Sequence, residues 1–83
     1  MKFKQVMSYK NASDQKSLLI IEPWAEQYSI EPGDKVDITG EGGDSSSGFD
    51  IQHAGDMLIV FGWVGSIVKV RRNGVEIAPS KQI

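Results

Sequence analysis

The run Asp56-Met57-Leu58-Ile59-Val60-Phe61-Gly62-Trp63 is the most apolar stretch of the chain and constrains the fold more than any other feature. It is too short for a buried helix. A strand that is apolar at both parities needs cover on both of its faces. The segment from Phe49 turns back onto it at Ala54-Gly55-Asp56, where Gly-Asp suits the centre of a type II′ hairpin and Ala-Gly, one residue earlier, is the alternative centre. In that hairpin Phe49 and Ile51 share a face with Leu58 and Val60. The opposite face sets Met57, Ile59, Phe61 and Trp63 against only Asp50 and Gln52. One arm is therefore apolar on both sides, as expected of a central strand in a closed or two-layered structure.

The rest of the chain reads as strands and turns arranged around this hairpin. Residues 2–7 alternate as a short edge strand whose lysines discourage the addition of another sheet. A polar loop is expected over 8–16. Leu18-Leu19-Ile20-Ile21 follows as a strand covered on both faces, ended by Pro23, which has no N–H for a ladder. Trp24 to Tyr28 reads as an irregular connection. Glu31-Pro32-Gly33-Asp34 carries the proline and glycine of a type II turn. Lys35 to Thr39 alternates, with Val36 and Ile38 inward. Residues 40–48, rich in glycine and serine, read as a flexible loop.

Ser66 to Pro79 is the clearest hairpin, with Asn73-Gly74 as its type I′ turn. Val68, Val70, Val75 and Ile77 form its apolar face, and Arg71 stands opposite Glu76 on the solvated one. The expectation is a single all-β domain over 1–83, a small sandwich or barrel of six to seven short, mainly antiparallel strands. Its expected core is Leu19, Ile21, Val36, Ile38, Ile51, Leu58, Val60, Val68, Val70 and Ile77.

With 83 residues, such a domain buries only about 60–65% of its unfolded surface and is marginal unless its core is compact or a partner covers more. There is no cysteine, so disulfides, thiol nucleophiles and thiolate metal sites are excluded, and a reducing compartment is admitted. The first residues lack the apolar segment of a signal peptide, and no apolar run approaches a membrane span. A cytoplasmic location and no membrane partner are therefore expected. The net charge of −2 disfavours nucleic acid, whose partners usually carry a basic excess.

Glu22-Pro23-Trp24, then Tyr28, Pro32-Gly33, a glycine-rich gap, Phe61-Gly62-Trp63, Gly65-Ser66 and Asn73-Gly74 form a pattern. It resembles that of a group of short bacterial all-β proteins with no known activity. The likeness covers roughly residues 18–78, with alanine at 25 where the pattern has glycine. It implies the all-β fold and supplies no function.

No catalytic constellation stands out. His53 is the lone histidine; Asp50 falls on the opposite strand face and Asp56 in the turn, so no enzymatic activity is expected. Glu41, Asp44 and Asp50, with Ser45, Ser46 and Ser47, offer oxygen donors but lack the spacing of a calcium loop. No metal or other cofactor is expected. Glu22, Trp24 and Tyr28 form one candidate binding surface; alternatively Trp24 plugs one end of the structure, its indole N–H on a backbone carbonyl.

Lys69 and Arg71 form a second candidate surface. With the neighbouring aromatics Phe61 and Trp63 they allow a small-molecule or single-stranded nucleic-acid binding barrel as the alternative function. The preferred expectation is a non-catalytic protein-interaction or structural module. A second layer over Met57, Ile59 and Phe61 would have to come from Leu18, Ile20, Phe3, Val6 or Trp24. Where that layer is incomplete, a homodimer through Met57, Ile59 and Phe61 is the simplest cover.

Overall fold

The computed structural model describes residues 3–43 and 48–79, and the backbone of 81–82. Among the described residues nine strands follow one another without a helix: β1 (Phe3–Lys10), β2 (Ser17–Glu22), β3 (Glu26–Ile30), β4 (Lys35–Gly42), β5 (Asp50–Ala54), β6 (Met57–Phe61), β7 (Ser66–Arg72), β8 (Val75–Glu76) and β9 (Lys81–Gln82). They form two sheets, in the order β1-β4-β7-β8 and β5-β6-β2-β3-β9. The buried core draws on both: Leu19, Ile21, Tyr28, Ile30, Leu58 and Val60 from the five-stranded sheet, and Val36, Ile38 and Val70 from the other. The all-β expectation holds, as a two-layered sandwich. All strand pairs are antiparallel except β2 with β6.

Three turns form as their residues dictate. Gly33 takes φ +84° and the Asp34 N–H donates to the Glu31 carbonyl at 3.0 Å, closing the type II turn. Asn73 and Gly74 both have positive φ, as a type I′ turn requires, and Arg72 pairs with Val75. Gly55 takes φ +59° between the paired residues Ala54 and Met57, as the first central residue of a type II′ turn does.

Several boundaries differ from the sequence reading. β1 runs on to Lys10, because Ser8, Tyr9 and Lys10 continue the ladder with Asp37, Val36 and Lys35; the polar loop shrinks to 11–16. Glu26–Ile30 is a strand and not an irregular connection. The chain reverses over 22–25, with a cis Glu22–Pro23 bond and Ala25 at φ +57°, so Tyr28 and Ile30 pack inward beside β2. β4 extends through Gly42, pairing with both β1 and β7, which removes 40–42 from the expected 40–48 loop. Residues 44–47 lie outside the described residues.

The expected core is correct for Leu19, Ile21, Val36, Ile38, Leu58, Val60 and Val70. Val68 and Ile77 are half-buried. Ile51 has the inward parity, paired with Val60, yet is 49% exposed on β5, the edge strand of its sheet. β2 is not equally covered on both faces: Ser17, Leu19 and Ile21 are buried while Leu18 and Ile20 are half-buried. Val75, on the two-residue edge strand β8, is exposed.

Trp63 leaves the outer row expected of it. β6 ends at Phe61, and Trp63 swings into the interior, where its Nε1 donates to the Gly42 carbonyl at 2.9 Å and its ring meets Phe49 at 5.3 Å between centroids. A buried indole needs such an acceptor, since an unpaired N–H costs about 1–3 kcal/mol.

Candidate functional site

The outer face of the five-stranded sheet is built by the parallel pair β2–β6. Its register sets Leu18 beside Met57 and Ile20 beside Ile59, with Phe61 next to Glu22. On β5 the outward neighbours are Ala54, Gln52 and Asp50; on β3 they are Ser29 and Gln27. An apolar strip two strands wide thus runs between polar flanks. Leu18 and Ile20 extend this strip and do not cover it, because they lie in the same sheet. Phe3 and Val6 belong to β1, in the opposite sheet, and cannot cover it either. None of the described strands packs over Met57, Ile59 and Phe61, which are half-buried only by their neighbours.

The outer face of the four-stranded sheet has a different chemistry. Outward residues form cross-strand rows: Lys4–Glu41–Ile67, Val6–Thr39–Lys69, Ser8–Asp37–Arg71 and Lys10–Lys35. A groove of about 410 Å³ runs over the first rows, with Lys4, Lys69 and Arg71 as its basic residues, Glu41 as its one acidic residue and Thr39 on its floor. Val6 and Ile67 are 55% and 65% exposed there. Asp37 accepts a bond from Ser8 Oγ at 2.7 Å, and Arg71 Nη1 lies 3.5 Å from Thr39 Oγ1. Arg71 and Glu76 are register partners as expected, but the cation within reach of Glu76 is Lys69, at 4.0 Å between exposed groups.

The chain matches no protein-family model, no curated protein and no solved structure.

The surface expected from Glu22, Trp24 and Tyr28 does not assemble. Glu22 Oε1 accepts the Ala25 N–H at 3.0 Å and so closes the β2–β3 turn. Tyr28 is a core residue: burial pushes its phenol up to about 12, and the nearby carboxylates of Glu26 and Glu76 push the same way. Trp24 is 39% exposed, and its Cη2 would lie 3.3 Å from a Cβ at Gly62, so it leans on one end of the sandwich without entering it. The indole that does enter and bonds a carbonyl is Trp63. Lys69 and Arg71 do share a face, but Phe61 lies on the outer face of the other sheet and Trp63 inside, so the basic pair has no aromatic neighbours to offer for base stacking.

His53 is exposed on β5 and lines a recess with Tyr9, Ser17 and Asp56. The hydroxyls of Tyr9 and Ser17 bond each other at 2.8 Å. Asp50 points to the other face, as the strand parity requires. Among the described residues there is no group of three or more histidine and acidic side chains able to hold a metal ion, and no helix long and apolar enough to cross a membrane. Sequence reasoning missed Asn11, the most buried polar residue among the described ones. Its Nδ2 donates to the carbonyls of Gln15 and Ile30 at 2.8 and 2.9 Å, and its Oδ1 accepts from Ser13. Nothing but a long-range contact distinguishes it from the other polar residues of its loop.

Proposed function

We propose that this domain is a non-catalytic protein-interaction module that works in the cytoplasm as a twofold dimer, joined through the outer face of its five-stranded sheet. The observation that carries the proposal is the uncovered strip Leu18, Ile20, Met57, Ile59 and Phe61 on the parallel pair β2–β6. An apolar centre ringed by Gln27, Ser29, Asp50 and Gln52 has the anatomy of an interface: dry middle, polar rim. A second copy is the occupant that this anatomy fits best. Ile59 and Ile20 lie side by side at its middle, so a twofold axis near them brings apolar against apolar and leaves the rims to meet water.

Sedimentation of the purified chain over the micromolar range tests this. The expected outcome is a mass rising to twice the monomer. Ile59→Glu should hold the mass at the monomer while leaving the circular dichroism and melting of a folded sheet protein. A wild-type chain that stays monomeric throughout, or an Ile59→Glu chain that still dimerises, overturns the proposal.

A further inference from the structure

Seven basic residues have described side chains, and their pairing is uneven. Lys16, Lys69 and Arg72 reach a carboxylate within 4.0 Å. Lys4, Lys10, Lys35 and Arg71 make no ion pair among the described residues. All four lie on the outer face of the four-stranded sheet, in the rows set by β1, β4 and β7. With Lys69 that face holds five basic residues against Asp37, Glu41 and Glu76, although the chain as a whole is net negative. Among the described residues, the unneutralised positive charge of this acidic protein is therefore gathered on one side, where it draws in anions.

The pattern along β7 narrows what kind of anion fits. Ile67, Lys69 and Arg71 project outward at every second position, so their Cα atoms step by about 6.5–7 Å. The side chains on one face of any extended peptide step by the same distance. Ile67 and, across the groove, Val6 add exposed apolar contact at one end, while Arg71 offers a planar fork to a carboxylate. Among the described residues, no aromatic side chain lines the groove to stack a base.

We propose that this groove binds an extended acidic peptide segment of a partner protein, with one apolar residue followed by acidic residues at the second and fourth positions after it. The apolar side chain sits between Ile67 and Val6. The two carboxylates meet Arg71, which has no ion pair among the described residues, and Lys69, which gives up its long, exposed 4.0 Å contact with Glu76. The inference rests on reading the domain as an interaction module, but it uses the sheet opposite the dimer face, so a dimer would present two such grooves facing away from each other and bind a repeated motif with avidity.

The test is fluorescence anisotropy of the full chain against three labelled probes: a peptide with the repeat Ile-Ser-Glu-Ser-Glu, the same composition with the glutamates adjacent, and an oligo-dT strand. Saturable, salt-sensitive binding of the alternating peptide, tighter than the other two, is expected. Lys69→Glu should weaken it by about tenfold, as reversal of a contact charge does, and Ile67→Ser by a few-fold. Lys16→Glu, on the distant β1–β2 loop, should leave it unchanged. Both test positions are exposed, and each variant is accepted only with a wild-type circular dichroism spectrum. No saturable binding of the alternating peptide, equal response to Lys16→Glu, equal binding of the two peptides, or tighter binding of oligo-dT each overturns the inference. Such a failure with normal sedimentation leaves the dimer proposal standing, so the two are separable.

Discussion

The six-membered ring of Trp63 shares with Phe49 the space that a Cβ on Gly40 would need: Trp63 Cη2 and Cζ3 and Phe49 Cζ all lie 2.7 Å from that point. Gly40 has an ordinary negative φ, so its missing side chain is a matter of packing and not of backbone conformation. Gly40→Ala should destabilise the domain by about 1–3 kcal/mol through overpacking. Trp63→Leu should also destabilise it, and the pair together should cost somewhat less than the sum, because part of the crowding goes with the indole and the remaining Phe49 ring can move into the space it leaves. Urea unfolding of the four proteins measures the coupling.

Asn11 ties the β1–β2 loop to the end of β3 and to the type II turn, with its own N–H on the Asp34 carbonyl and its carbonyl accepting from Gly33. Asn11→Ala takes away its side-chain donor to the buried Ile30 carbonyl, which keeps its strand partner Ser17, together with the bonds to Gln15 and Ser13. It should lower stability by about 1–2 kcal/mol, the net worth of one or two buried hydrogen bonds. Ser13→Ala, which leaves both Asn11 donors in place, should cost less. Chemical denaturation of the two variants checks the order.

Alkaline unfolding should report on Tyr28. Its phenol is raised from 10.0 to about 12, so the folded protein holds the proton more tightly than the unfolded chain does. The stability linked to it is complete below pH 10 and is lost as the pH rises from there through about 12. Tyr28→Phe should flatten that part of the stability–pH profile. Phenolate absorbance should show one tyrosine ionising near 12 that is absent from the variant.

Ile51 and Ile21 offer a contrast on the two sides of one sheet's edge. Ile21 is fully buried, and Ile21→Ala should cost about 2–5 kcal/mol. Ile51 shares its parity but stands half in solvent, so Ile51→Thr should change stability by no more than about 0.5 kcal/mol. Thermal melts of the two variants distinguish a core position from an exposed edge-strand one.

What could be read from the sequence was what local chemistry decides. Pro32-Gly33, Gly55-Asp56 and Asn73-Gly74 place their turns because glycine and asparagine accept positive φ, and the alternation of Val36 with Ile38 and of Leu58 with Val60 marks the inner faces. The parallel partnership of β2 and β6 is decided by pairing across some forty residues and leaves no local trace. Once it is known, Leu18, Ile20, Met57, Ile59 and Phe61 become one surface. Without it, Leu18 and Ile20 look like material for a covering layer. The two tryptophans were harder still. Trp63 follows an apolar run by parity on the outer face, and only the strand's end at Phe61 together with the gap at Gly40 brings it inside. The basic face was half visible: Lys69 and Arg71 alternate together, but Lys4, Lys10 and Lys35 join them only through the β1–β4–β7 register.

The most direct test of the dimer is to ask which atoms meet across it. In an equal mixture of isotope-labelled and unlabelled chain, isotope-filtered nuclear Overhauser spectra should show intermolecular contacts among the methyl groups of Leu18, Ile20, Met57 and Ile59, and none from Ile67 or Val6 on the opposite sheet. Intermolecular contacts confined to other residues, or none at concentrations where the chain outnumbers any plausible dissociation constant, would contradict the account.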